Sequence, residues 1–298
     1  MAGRHGLRLR GRDDRDRQAR HVARGAQLGG LMKKLHSIVC MKPVPDPSRF
    51  DKLKLDPATL LLCRDQVPPV VNPLDRNAIE AALTLRESRG GSVSVLTMAA
   101  PSADEQLREA LAMGCDRAVL LTDRAFAGAD TLATARVLHA AIRKLGRFDF
   151  VFCGAWSADG STGQVGPQVA ELLGIPDLTR VFQLELGRGG LRAHCRIEGG
   201  SAVYECAPPM LVTLDKEANV PRYAGMVGIR KALQREVSVW NAKSLKLSPK
   251  EVGLEGSPTK MLNVYTSPVG RKGEILQGTP AEAGKKLLAQ LRKAKAIA

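Results

Sequence analysis

Four short apolar runs, separated by segments of helical period, constrain this chain more than any other feature. The runs are Leu35–Met41 (LHSIVCM), Ser92–Met98 (SVSVLTM), Arg117–Leu121 (RAVLL) and Phe150–Cys153 (FVFC). They are continuous rather than alternating, as strands are when both faces of a sheet are covered. Between them, Asn72–Pro73 opens a helix with Leu74, Ala78, Ala82 and Leu85 on one side. A second helix carries Leu107, Ala110 and Leu111, with Ser102 or Asp104 as its cap. Thr131–Leu145 is a third, and Val165, Val169, Leu172 and Leu173 mark a fourth. Strands and helices in this alternation imply right-handed crossovers. The expected fold is α/β, a parallel sheet covered by helices on both faces.

The pattern changes after Pro176. Val181–Leu186, Leu191–Ile197 and Ser201–Glu205 are split by Gly187–Gly190 and Gly199–Gly200, which reads as a small antiparallel meander. Met210–Leu214 is one more strand. From Asn219 to Gly278 no segment shows a core periodicity of its own. Thr279-Pro-Ala-Glu282 is then a capping box with proline at the first helical position, opening a helix with Leu287, Leu288 and Leu291. A long coreless stretch ending in an amphipathic helix suits an arm laid on another chain. The expected organisation is an extension over 1–31, an α/β domain over 32–218, and a docking loop and extended C-terminal arm over 219–298.

Charge and composition narrow the function. The chain carries a formal +15 at pH 7, and residues 1–31, with eight arginines against three aspartates, supply five of those charges. That segment has no apolar periodicity. One reading makes Met32 the true start; the rival is a transit peptide, against which Asp13, Asp14 and Asp16 count. Aromatics are only 4% and are not interleaved with the basic residues, so a nucleic-acid surface is not expected. No apolar stretch is long enough for a membrane helix. The six cysteines form no C-x-x-C pair and no zinc-like spacing with histidine, and Cys40 and Cys153 read as core residues. A reducing compartment, the cytoplasm, fits that usage.

In an open parallel sheet, ligands bind outside the carboxyl ends of the strands. The loop after FVFC, Gly154–Gly166, offers Asp159, Gly160, Ser161, Thr162 and Gly163 before a helix N-terminus, a setting that favours a phosphate. A glycine-rich dinucleotide turn after the first strand and a Walker A motif are both missing, as is any Ser/His/Asp set or carboxylate pair. His36, His139 and His194 lack a companion nucleophile and read as structural. The residues suggest a nucleotide holder without acid–base machinery of its own.

Five ordered segments then match one family. Val39-Cys-Met-Lys-Pro-Val-Pro-Asp46, Asn72-Pro-Leu-Asp-Arg-Asn-Ala-Ile-Glu-Ala-Ala82, Ala110-Leu-Ala-Met-Gly-Cys-Asp116, Asp159-Gly-Ser-Thr-Gly-Gln-Val-Gly-Pro167 and Asn219-Val-Pro-Arg-Tyr223 resemble segments of electron-transfer flavoprotein β subunits. The resemblance implies an adenine-nucleotide domain of the adenine nucleotide α-hydrolase-like kind. It implies an α subunit as partner, which carries FAD and is embraced by the C-terminal arm. Nucleotide contacts would come from Cys40, Lys42, Asn72, Asp75, Met98, Asp159, Gly160, Ser161, Thr162, Gly163, Gln164 and Val165. Arg222, Tyr223 and Met226 would dock a flavin dehydrogenase of the acyl-CoA type.

Two forms of the family differ in what the β site holds. One holds AMP as a structural filler; the other holds FAD, takes a hydride from NADH and sends the two electrons along separate paths. The D-G-x-x-x-Q-V-G-P loop, Gly253-Leu-Glu-Gly-Ser-Pro-Thr259 and Arg271-Lys-Gly-Glu274 resemble the second, electron-bifurcating form. The chain departs from that form at Ala155-Trp-Ser-Ala158, where a basic-Gln-Ala-Ile run is usual, at Ser161, where an aspartate is usual, and at Ala99-Ala100, where Gly-Pro is usual. Two readings of Trp156 stay open, contact with the cofactor and ordinary packing. A third, separate reading of the whole chain is a stand-alone nucleotide-binding protein of the universal-stress or adenylate-transfer type.

Overall fold

The computed structural model describes residues 34–55, 62–63, 67–187, 189–260 and 273–297. The readings of 1–31, and those of Arg271 and Lys272, lie outside the described residues. In chain order the elements are β1 (Leu35–Cys40), β2 (Pro43–Pro45), β3 (Lys54–Leu55), β4 (Leu62–Cys63), β5 (Pro69–Val71), α1 (Pro73–Arg89), β6 (Gly91–Met98), α2 (Asp104–Met113), β7 (Arg117–Leu121), α3 (Thr131–Leu145), β8 (Phe150–Gly154), α4 (Val165–Leu173), β9 (Asp177–Leu186), β10 (Leu191–Ile197), β11 (Gly200–Cys206), β12 (Met210–Leu214), α5 (Met226–Leu233), β13 (Val237–Trp240), α6 (Ala242–Leu245) and α7 (Pro280–Lys293).

Nine strands form one sheet in the order β11-β10-β9-β12-β8-β1-β6-β7-β13. Every pairing from β9 through β13 is parallel, and β10 and β11 join β9 antiparallel. The expected meander is therefore present, as the edge of the main sheet rather than a separate layer. The period-2 geometry of a strand divides its side chains between two cores. Val39, Val95, Leu120, Phe150 and Phe152 face α1 and α2, while Ile38, Leu96, Val119, Leu121 and Val151 face α3 and α4. Burial on both faces is what the continuous apolar runs require. Each fully buried aromatic or aliphatic side chain contributes about 1.5–3 kcal/mol.

Helix ends follow local chemistry. Asp130 accepts from the Ala133 amide at the start of α3, and Pro73 fills the first position of α1. Neither Ser102 nor Asp104 caps α2. The cap position is Ala103, and Asp104 lies inside the first turn, where its carboxylate meets Arg108 Nε at 2.6 Å, an i,i+4 pair.

The structure differs from the sequence reading beyond Asn219. β13 pairs with β7 and extends the sheet, and Ala232, Leu245 and Val252 are buried. The first compact unit runs to Lys260. Helix α5 lies against α2 so closely that a Cβ at Gly228 would come 2.3 Å from the Ala112 carbonyl oxygen. These contacts escape a periodicity search because each element is short and supplies only one or two core residues. The second unit, Met261–Ala298, contains α7, which opens with the expected Thr279–Glu282 capping box. Among the described residues no helix is long and apolar enough to cross a membrane.

Candidate functional site

Strand order locates the site. From β1 the chain builds outward through β6 and β7, then returns to place β8 on the other side of β1. Crossovers diverge there, so a crevice opens outside the carboxyl ends of β1 and β8. Lys42 follows β1, Gly154 ends β8, and the first turn of α1 supplies Asn72 and Asp75.

Asp75 ties the two strand ends together. Its Oδ2 accepts from the Lys42 amide at 2.7 Å, and its Oδ1 accepts from the Gly154 amide at 2.8 Å. Gly154 is needed for that approach, because a Cβ there would lie 2.5 Å from Asp75 Oδ1 and 2.7 Å from Leu74 Cβ. Burial pushes the Asp75 carboxyl up to about 6, outweighing the two amide hydrogen bonds that favour its charged form. Asn72 does the same work for the loop. Its Nδ2 donates to the Trp156 carbonyl at 3.0 Å, and its Oδ1 accepts from the Ala158 amide at 3.1 Å.

The loop from 155 to 164 then turns under Lys42. Lys42 Nζ lies 2.6 Å from Asp159 Oδ1, whose side chain is almost wholly enclosed, and donates to Ser157 Oγ at 3.3 Å. Ser161 takes a left-handed conformation, φ 51°, with its amide donating to the Ser157 carbonyl. Gly163, φ 64°, passes the Ala155 carbonyl. Helix α4 begins at Val165 with Gln164 at its cap position, and the Gln164 side chain makes no capping bond. Gln164 Oε1 instead accepts from Thr131 Oγ1 at 3.2 Å. Gly160 to Gln164 are exposed.

The expected nucleotide residues thus converge. Lys42, Asn72, Asp75 and the 159–165 loop meet in one crevice. Cys40 and Met98 end β1 and β6 beside it. Cys40 is buried in the α3–α4 core, and burial pushes its thiol up to about 12; Cys153 is driven well above its ordinary value for the same reason. Both are packing residues as expected, and reactive thiolate chemistry is not available from them. The sequence reading missed the Lys42–Asp159 bridge, whose partners are far apart in the chain. His36 is structural, its ring nitrogens meeting the Arg147 carbonyl and Ser94 Oγ. Among the described residues no cluster could hold a metal. An open cavity of about 440 Å³, lined by Arg143, Gly146, Arg147, Phe148, Leu173, Ile175 and Pro209, lies at the opposite, amino ends of the strands and is no part of this site.

The candidate docking residues separate. Arg222 is turned back onto α1. Its guanidinium meets Glu80 at 2.8 and 2.9 Å and also pairs with both oxygens of Glu87. Hydrogen bonds to Glu87, then Glu80, raise its already high value further. Asn219 is clamped beside it, Asn77 Nδ2 donating to the Asn219 carbonyl at 2.8 Å. This anchoring leaves Tyr223 and Met226 projecting, 97% and 82% exposed. Arg222 therefore anchors the 219–226 segment from beneath rather than lying on its surface.

Asp75 yields a pH test. Its folded value of about 6 lies above its ordinary 3.8. Its stability contribution is therefore full below about pH 4 and is lost as pH rises through 6. The urea midpoint of the wild type, relative to Asp75→Asn, should fall between pH 4 and 6 and level off above. A difference that instead rises over that interval would contradict the burial argument.

Comparison with known proteins shows the family. The family profile for the electron transfer flavoprotein domain matches residues 59–245. The chain is 45% identical to "Electron transfer flavoprotein subunit beta" of Thermoanaerobacterium thermosaccharolyticum over 86% of its own length and 98% of the relative's. It is 42% identical to "Caffeyl-CoA reductase-Etf complex subunit CarD" of Acetobacterium woodii, covering 81% and 92%. To "Protein FixA" of Azorhizobium caulinodans it is 42% identical, covering 78% and 84%. The parallel α/β fold and similarity of this extent lead to one conclusion: the chain belongs to the electron transfer flavoprotein family, among its β subunits.

Proposed function

We propose that this chain works as a complex with an electron transfer flavoprotein α subunit, holds FAD in the β1–β8 crevice, and draws electrons from NADH. The observation that carries this is the run Gly160-Ser-Thr-Gly163, small residues without a carboxylate, between Lys42 and the uncapped start of α4. Main-chain amides and a helix N-terminus suit phosphates, and removing carboxylates lowers repulsion with a diphosphate. The residues present fit the group. Lys42 and the amides of Gly160 and of 162–165 would hold the phosphates, Asp75 and Asn72 would fix the loop, and the main chain at Cys40 and Met98 would border the adenosine. The chemistry FAD supplies when bound is acceptance of a hydride and release of the two electrons along separate paths. The chain's part is to bind, orient and shield it.

AMP in the same crevice is the second reading, favoured by the Lys42–Asp159 bridge at 2.6 Å, which neutralises the nearest cation. In that case the subunit is a structural partner. A stand-alone protein is disfavoured by the exposed apolar face of the docking segment, where Val220, Tyr223, Met226 and Leu233 all project. We assign that face to a flavin dehydrogenase of the acyl-CoA class, and the 261–298 unit, with Leu287, Leu288 and Leu291 along one side of α7, to the α subunit. Free cysteines among the described residues suit the cytoplasm.

Two outcomes are expected. Mixed anaerobically with NADH, the purified α–β complex should lose its visible flavin band; a band unchanged by excess NADH contradicts electron entry from NADH. Met226→Glu should raise KM for the partner dehydrogenase about tenfold, as loss of an interface anchor does, with nucleotide content unaltered. A KM equal to wild type removes Met226 from the docking face.

A further inference from the structure

The strand order gives the nucleotide crevice two flanks. Cys40 and Met98 stand on the β1–β6 flank. On the other, toward β12 and β9, stands a pair that the reading above leaves unused, Trp156 and Arg180. Trp156 follows the buried Ala155, and Asn72 holds its carbonyl in place, yet its side chain is 39% exposed at the rim. Arg180 lies across the β12–β9 ladder at a break in register, with φ 53°. Its amide donates to Thr213 Oγ1 at 2.9 Å, and its guanidinium carbon sits 5.8 Å from the centre of the Trp156 ring.

Three features set this pair apart from chance surface packing. A non-glycine residue in the left-handed region is strained, and persists where the surroundings impose it. A register break is a usual device for re-aiming a side chain beside a site. Among the described residues Arg180 forms no ion pair, and its guanidinium rests against an aromatic ring. A rigid, half-open indole backed by a guanidinium is suited to a planar heteroaromatic ring, with the cation near any anionic linker. With phosphates at the start of α4 and adenosine on the β1–β6 flank, a mononucleotide would have no group to place against this pair on the opposite flank. A dinucleotide continues toward it.

We propose that Trp156 and Arg180 form the wall that receives the part of a dinucleotide beyond its adenosine phosphates, and so set this chain's preference for FAD over AMP. The proposal rests on the reading of the crevice as a nucleotide site. Trp156 supplies the stacking face. Arg180 positions the indole and adds charge.

The test is competition in the intact α–β complex, dialysed against equal FAD and AMP, with β-site occupancy counted after acid release. Wild type should retain FAD. Trp156→Ala should shift the FAD-to-AMP ratio toward AMP about tenfold, the usual effect of losing one aromatic stack. Trp156→Phe should keep most of the preference. Arg180→Gly relieves the backbone strain, so it should shift the ratio in the same direction without lowering the thermal midpoint. Wild type retaining FAD, with Trp156→Ala and Arg180→Gly within twofold of it, would overturn the wall and leave the FAD reading standing. Wild type taking only AMP under the same dialysis would overturn both.

Discussion

The carboxylate of Asp75 accepts hydrogen bonds from the main chain where β1 ends and where β8 ends, and so holds the two strands at the separation the crevice needs. Its place in the first turn of α1 also sets how that helix sits, with Gly154 small enough to let the helix close on the sheet. Asn72, three residues earlier, fixes the backbone of the 155–158 loop from the same turn. The bridge from Lys42 to Asp159, the exposed residues 160–164 and the open end of α4 all follow the loop that these few bonds place. A buried carboxylate serving main-chain amides at a ligand crevice is costly in an apolar setting unless fully bonded, and this one sits between two donors.

Much of the fold was legible because its evidence is local. The strands β1, β6, β7 and β8 announce themselves by runs such as SIVC and FVFC, which only a doubly covered sheet demands. The capping box at Thr279 is contained in four residues. What was not legible depends on partners distant in sequence. The strand β13, Val237–Trp240, is short and partly exposed at a sheet edge, so nothing in its own residues distinguishes it from a loop. The position of β12 between β8 and β9 follows from strand order, which composition does not encode.

The site shows the same division. The loop Asp159–Gly163 could be picked out by its small residues before a helix, but its closure under Lys42 could not, since that pairing spans most of the domain. Arg222 lies in the Asn219–Tyr223 segment, whose resemblance to the family suggested a docking role. Glu80 and Glu87, one α-helical face away, claim its guanidinium instead. Burial resists ionisation of Glu80, but the hydrogen bonds and charge of Arg222 hold its carboxyl below the usual range. The orientation of Arg222 is decided by α1, which its own segment does not encode.

Fold and family make this chain a β subunit of an electron transfer flavoprotein, and the crevice at the ends of β1 and β8 is where we propose it holds a nucleotide. On that proposal, the nucleotide held there decides whether the subunit is a redox centre or a scaffold. The most direct measurement is to purify the α–β complex, release the bound cofactors with acid, and identify what each subunit carried. FAD from both subunits and no AMP is the expected result. FAD from the α subunit with AMP from this chain would contradict a redox-active crevice and make this protein the structural half of a simple electron carrier.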